Sequence, residues 1–160
     1  MSRARRRMIL RPMLSLSRLL YVSTASMQLD RAGFDAIRDS AIARNSQCGI
    51  TGLLVFNGVN FMQLLEGPQD NVDAVFESIR RDPRHHGVVR LLAEPAEARA
   101  CASWAMATQR IDLPGRRSGD FSVFELDTAS LDERYLNDMP GDIRVLFTSF
   151  NTMSAGRAAS

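Results

Sequence analysis

Two strand–helix–strand patterns follow one another between Leu19 and Leu92, and that succession limits the fold more than any other feature of the chain. Leu19 to Ser23 reads as a short strand. Asp30 then suits the N-cap of a helix whose apolar stripe is Phe34, Ile37 and Ala41. Ile50 to Phe56 is a continuous apolar strand, and Asn57-Gly58 signals a type I′ hairpin into a strand over Asn60 to Glu66, closed by Gly67-Pro68. Asp70 is placed to cap a second helix. Its residues Val72, Val75, Phe76 and Ile79 recur at i, i+3, i+4 and i+7, and Asp82-Pro83 stops it. Val88 to Leu92 predicts a fourth strand, and Ser103 to Ile111 a fifth with Trp104, Met106 and Thr108 on one face.

The order β-α-β-β-α-β-β with right-handed crossovers predicts an α+β fold, a ferredoxin-like sandwich with both helices on one face of the sheet. A bare second face needs a cover. Two C-terminal helical stretches are available for it: Leu131, Tyr135 and Met139 form one stripe, and Ile143, Leu146, Phe147 and Phe150 a better one. The stripe from Ile143 to Phe150 is apolar enough to exceed what the sheet can bury. The expected divisions are a basic, disordered arm over 1–15, a core domain over 16–112, a helical extension over 113–152 and a frayed tail over 153–160. The hinge is Gly115 to Gly119, with Arg116-Arg117-Ser118 inside it.

Composition narrows the partners. The chain has 160 residues, 45% hydrophobic and 24% charged, which is one domain with a real core. Its net charge of +2 comes from 20 basic and 18 acidic residues, and every basic residue is arginine. Arg3, Arg5, Arg6, Arg7 and Arg11 stand ahead of Met13, and no acidic residue precedes Asp30. The remainder holds 15 basic against 18 acidic residues, so the charge gives no ground for nucleic-acid or anionic-membrane binding. No apolar run approaches the roughly 20 residues that span a bilayer, and Pro12, Ser15, Ser17 and Arg18 break any signal-peptide pattern. Cys48 and Cys101 make no disulfide framework and predict reduced thiols in the cytoplasm. The adjacent His85 and His86 lack metal-ligand spacing, so no metal is expected.

A few polar residues break the apolar pattern. Strand alternation sets Gln63 between Phe61 and Leu65 on one face, and Tyr21 between Leu19 and Ser23 on its own strand. Strands one and three are the central pair of this fold, so the hydroxyl and the amide meet under the helices. On pattern alone this is a satisfied polar pair that sets sheet register. Asn45, after Arg44, reads as a C-cap or turn. Arg84 and His85 follow the second helix, where positive charge suits the helix dipole. Trp104 and Met106 read as core. Taken together, however, a Tyr, a Gln, an Asn, an Arg and a His surround a space between two helices that suits a flat polar heterocycle.

Those residues resemble the BLUF family, the blue-light sensors that use flavin. The resemblance runs from Leu19 to Met106. It rests on Leu20-Tyr21-Val22-Ser23, Asn45, Ile50-Thr51-Gly52-Leu53-Leu54, Phe61-Met62-Gln63-Leu64-Leu65-Glu66-Gly67, Arg81-Asp82-Pro83-Arg84-His85 and Trp104-Ala105-Met106. It implies a noncovalent flavin between the two helices, FAD by family habit, with FMN or riboflavin as the other choices. Tyr21 is then the electron and proton donor, and Gln63 bridges it to the ring and changes hydrogen bonding in light. Asn45 bonds the pyrimidine edge. Arg44, Asp82, Arg84 and His85 lie near the ring or its ribityl chain, Ile37 and Phe61 wall the ring, and Trp104 and Met106 belong to the switching strand. Leu64 departs from the family pattern, in which that site is often aromatic.

The resemblance implies a sensor and not an enzyme, with output through an unidentified protein partner or a homo-oligomer, since residues 112–160 are too few for an effector with its own core. Two other classes share parts of the pattern. An RNA-binding module has this topology, but its third strand needs exposed stacking aromatics, where this one reads Phe-Met-Gln-Leu-Leu-Glu. A flavin-dependent redox enzyme needs room for a substrate beside the ring.

Overall fold

A computed structural model of the chain describes residues 15–26, 29–101, 107–110 and 136–156. The elements are β1 (Leu16–Ala25), α1 (Arg31–Gln47), β2 (Thr51–Phe56), β3 (Asn60–Pro68), α2 (Gln69–Arg80), β4 (His85–Pro95), β5 (Ala107–Arg110) and α3 (Gly141–Gly156). The strands form one sheet in the order β4-β1-β3-β2-β5. All neighbours are antiparallel except β2 and β5, which run parallel. This is the ferredoxin-like α+β sandwich that the succession of elements predicts, with β5 added beside β2.

Alternation along the strands divides the core in two. Leu19, Tyr21, Leu54, Phe56, Phe61 and Leu65 face α1 and α2, meeting Phe34, Val72, Val75, Phe76 and Ile79. Leu20, Leu53, Val55, Met62 and Leu64 face the other way, against Cys101, Leu136, Met139, Ile143 and Phe147. The C-terminal cover is thus in place. Ile143 and Phe147 are fully buried, and Leu146 and Phe150 pack beside them, so the sheet takes up this stripe after all. Helix α3 continues to Gly156, past Thr152, where fraying is expected. Leu131 and Tyr135 of the other stripe, the hinge at 115–119 and the basic arm lie outside the described residues.

Local signals decide most boundaries. Asp30 caps α1, its carboxylate accepting from the Gly33 N–H at 2.8 Å. Asp70 does not cap α2. The helix starts two residues earlier, at Gln69 behind Pro68, and Asp70 sits in the first turn, where a negative charge complements the dipole instead. The hairpin is displaced by one residue. Asn57 pairs with Asn60 (N···O 3.1 Å), so Gly58 and Val59 form the loop, with Gly58 at φ 90° in the first position. The Asn57 side chain accepts from the N–H groups of Val59 and Asn60, a local bond that outcompetes the expected Asn-Gly turn.

Candidate functional site

The register of β1 on β3 places Tyr21 directly opposite Gln63, and that of β3 on β2 places Gln63 opposite Leu54. These three form a row across the middle of the sheet on its helix-covered face. Tyr21 is 3% exposed and Gln63 2%, and the Tyr21 hydroxyl donates to the Gln63 side-chain carbonyl. The Tyr21 ring packs against Phe76 at 5.6 Å. Burial pushes the phenol well above its usual range, with the Arg44 charge opposing and that of Asp82 adding to it. Tyr21 therefore holds its proton in the ground state and directs it along a single line, toward the amide.

Helix α1 supplies one wall of the cleft. Ile37, Ser40, Ala41 and Arg44 recur along its inner side and line the same space as Tyr21, Leu54, Phe61 and Gln63. Asn45 follows Ala41 by four residues, so it falls on the buried side of the helix rather than at a cap or turn. It is 0% exposed, and neither its side-chain oxygen nor its nitrogen has a protein partner. Its backbone carbonyl closes the exit of α1 by accepting from Ile50 (2.8 Å). Nε of Arg44 is buried and unpartnered as well.

The segment after α2 supplies the opposite wall. Arg84 donates from Nε to both oxygens of Asp82 (2.9 and 3.0 Å) and from Nη2 to Oδ2 (2.5 Å). This fork holds the Asp82 carboxyl below its usual range and raises the guanidinium. The Arg84 charge is thus spent on Asp82, where the sequence assigns it to the helix dipole. His85 opens β4, 8% exposed, with Nδ1 2.8 Å from the Ser23 hydroxyl and its ring edge-on to Phe61. Burial holds it below the ordinary histidine range, which favours the neutral imidazole.

The structure thus brings Tyr21, Ile37, Arg44, Phe61, Gln63, Asp82, Arg84 and His85 around one cleft between α1 and the α2–β4 connection, while Asn45 follows Arg44 on α1, buried and outside the cleft lining. Trp104 and Met106 lie outside the described residues. What is described nearby is β5, whose parallel register sets Thr108 beside Leu54. Two further residues join the site, although the sequence pattern assigns neither a role there. Ser23 shares a face with Tyr21 by alternation, and Ser40 falls on the Ile37–Arg44 stripe, so both signals were present.

A buried amide with both ends unmet is costly in a folded protein, because each unmade bond forfeits its desolvation. Such a group fits a ligand that presents an adjacent donor and acceptor on one planar edge. Apolar walls from Ile37 and Phe61 fit its ring faces, and a flavin meets both requirements. Among the described residues no group of His, Cys, Asp and Glu could hold a metal ion.

Comparison with known proteins agrees with this geometry. Residues 16–107 match the family model BLUF, sensors of blue-light using FAD. The chain is 38% identical over 92 residues to the blue light- and temperature-regulated antirepressor BluF of Escherichia coli (strain K12), a match taking in 58% of this chain and 23% of that one. A solved structure of Klebsiella pneumoniae BlrP1 with FMN and cyclic diGMP superposes with a TM-score of 0.69 at 29% identity, over 86% of this chain and 34% of that one. The dark-state structure of the BLUF protein BlrB gives 0.59 at 28% identity, over 82% and 83%. The chain therefore spans about a quarter of the length of the antirepressor it matches, and most of the length of BlrB.

Proposed function

The chain belongs to the BLUF family of flavin-binding blue-light sensors, and from that premise we propose how its own residues sense light. When bound, the flavin supplies blue absorption and an electron acceptor. Tyr21 would supply the electron and pass its proton to the Gln63 carbonyl, while the Gln63 NH2 would release one of its own protons toward the flavin, which leaves the amide neutral. Gln63 answers by rotating or tautomerising, because an amide carries a donor and an acceptor and can exchange them without gaining charge. Asn45 holds the ring's polar edge, Ile37 and Phe61 its faces, and Arg44, Asp82, Arg84 and His85 its outer end and side chain. Trp104 and Met106 take part in passing on the change. The observation that carries this reading is the buried Tyr21–Gln63 bond, supported by the unmet Asn45 amide on α1. The test is one absorption spectrum before and after blue light, expected to red-shift and recover in the dark.

FAD is the proposed cofactor, following the family description, while BlrP1 has been solved with FMN. Chromatography of the flavin released from purified protein distinguishes FAD, FMN and riboflavin. Output is proposed to pass to a separate protein or through a homo-oligomer, in the cytoplasm. One rearranged hydrogen bond is worth about 0.5–1.5 kcal/mol, whereas inverting a two-state equilibrium from 1:99 takes about 5.5 kcal/mol. A second packed element must therefore amplify the change. The exposed Val89 and Leu91 on the edge strand β4 support a self-association surface. Light scattering in the dark and under illumination tests it.

The RNA-binding alternative meets a structural obstacle. Modules of that topology read RNA on the sheet face away from the helices, and here Leu20, Met62 and Leu64 on that face are buried with α3 against them.

A further inference from the structure

Glu66 follows Gln63 by three residues on β3, so its side chain points to the opposite face of the sheet. It is 0% exposed. Its Oε1 accepts from the Ala100 N–H at 3.1 Å and its Oε2 from the Cys101 N–H at 2.9 Å, with Arg18 Nε 3.5 Å from Oε1. Its backbone carbonyl accepts from Arg99 Nη1 at 2.8 Å. The same guanidinium reaches Thr51 Oγ1 (2.9 Å) and the Gly49 carbonyl (2.6 Å). Arg18 donates to the Ala98 carbonyl at 3.0 Å. Arg18 and Thr51 are the register partners of Glu66 on β1 and β2. Residues 98–101, on the way from β4 to β5, are thus hung from one position of β3 and its two cross-strand neighbours.

A buried carboxylate is costly unless its lone pairs are met. Here two of its partners are backbone N–H groups of a connection that lies in no strand or helix, the other ties being Arg18 to the Ala98 carbonyl and Arg99 to Thr51 and the Glu66 carbonyl. Those bonds are directional, so they tie the placement of the connection to the placement of β3. We propose that Glu66 is a positioning residue that reads the position of β3 and sets that of residues 98–101, so that light acting at Gln63 frees Ala100 and Cys101 from the carboxylate. The proposal rests on the blue-light reading above and adds to it the route out of the site.

Cys101 supplies the reporter. Its thiol is 2% exposed and pushed up to about 12 by burial, so it resists alkylation while the connection is held. The experiment is a short pulse of N-ethylmaleimide on the full flavin-bound chain, in the dark and under blue light, read peptide by peptide with the half-buried Cys48 as internal reference. In the wild type, Cys101 labelling is expected to rise from a few-fold to about tenfold in light, the factor that one net hydrogen bond supplies. Glu66→Gln, which sets an NH2 against one of the two N–H groups, is expected to label at the raised level in the dark. It should gain nothing in light, while its absorption still red-shifts. Arg99→Ala leaves the carboxylate in place and should keep the light-to-dark ratio.

Unchanged Cys101 labelling in a wild type that red-shifts overturns the proposal. So does a normal ratio in Glu66→Gln, or a ratio lost equally in Arg99→Ala, which marks a purely structural role. A wild type without a red shift removes the blue-light reading and the proposal with it. Should Glu66→Gln not fold, hydrogen exchange of the Ala100 and Cys101 amides in the wild type decides: faster exchange in light supports the release, and unchanged exchange overturns it.

Discussion

Tyr21 and Gln63 stand opposite each other across the β1–β3 ladder, and the hydroxyl of the first donates to the side-chain carbonyl of the second. Backbone register fixes both Cα positions, so neither residue can drift away from the other without breaking the central pair of the sheet. Tyr21→Phe removes the donor and keeps the ring that packs on Phe76. The variant is expected to bind flavin and to show no red shift under blue light. Gln63→Leu should behave likewise. A normal photocycle in either, followed by absorption, would remove the proposed roles.

Asn45 offers a second prediction with two opposing signs. Asn45→Ala takes away a buried amide that has no protein partner, so flavin-free protein should unfold at the same temperature as wild type or higher. Flavin should bind more weakly, by about tenfold or more for two lost hydrogen bonds. Thermal unfolding with and without added flavin reads both effects in one titration.

His85 makes stability depend on pH in a defined direction. Burial depresses its folded-state value below the ordinary 6.5, so the unfolded chain takes up the proton first as the pH falls. Its contribution is whole above 6.5 and is lost as the pH drops from there through the depressed folded value. The unfolding temperature should therefore decline on this acid limb, and His85→Gln should flatten the decline. Asp82 is lowered chiefly by its bonds to Arg84, and its contribution is lost at still lower pH, as the pH falls from the usual carboxylate value through the depressed one.

Gly52 explains part of the Ile50–Leu54 motif in packing terms. A Cβ at position 52 would sit 1.8 Å from the Leu64 carbonyl oxygen, which is backbone of the paired strand. Gly52→Ala is expected to destabilise by about 3 kcal/mol, through separation of β2 from β3. Denaturant unfolding measures the loss, and a variant as stable as wild type would show that the strands can part at little cost.

The elements themselves were legible in the sequence because their signals are local. The run from Ile50 to Phe56, the stripe Val72–Val75–Phe76–Ile79 and the Asp30 cap depend on neighbours within a turn or a strand. Where two local signals competed, the boundary lies one residue away at Asn57-Gly58 and two residues away at Asp70. The site was legible in part. Alternation placed Tyr21 and Gln63 on faces able to meet, and the strand order of the fold made them adjacent.

Only the tertiary structure decided the rest, because burial and pairing across tens of residues leave no periodic trace. It took Asn45 out of a turn and buried it with its amide unmet. It joined Ser23 to His85 across 62 residues. It also turned Glu66, one polar residue ending an apolar strand, into the anchor of a connection more than thirty residues away. The chain alone determined which faces are apolar and in what order the strands come. Which polar groups find partners was settled by the closing of the sheet, since a hydrogen bond depends on distances that only the folded backbone sets.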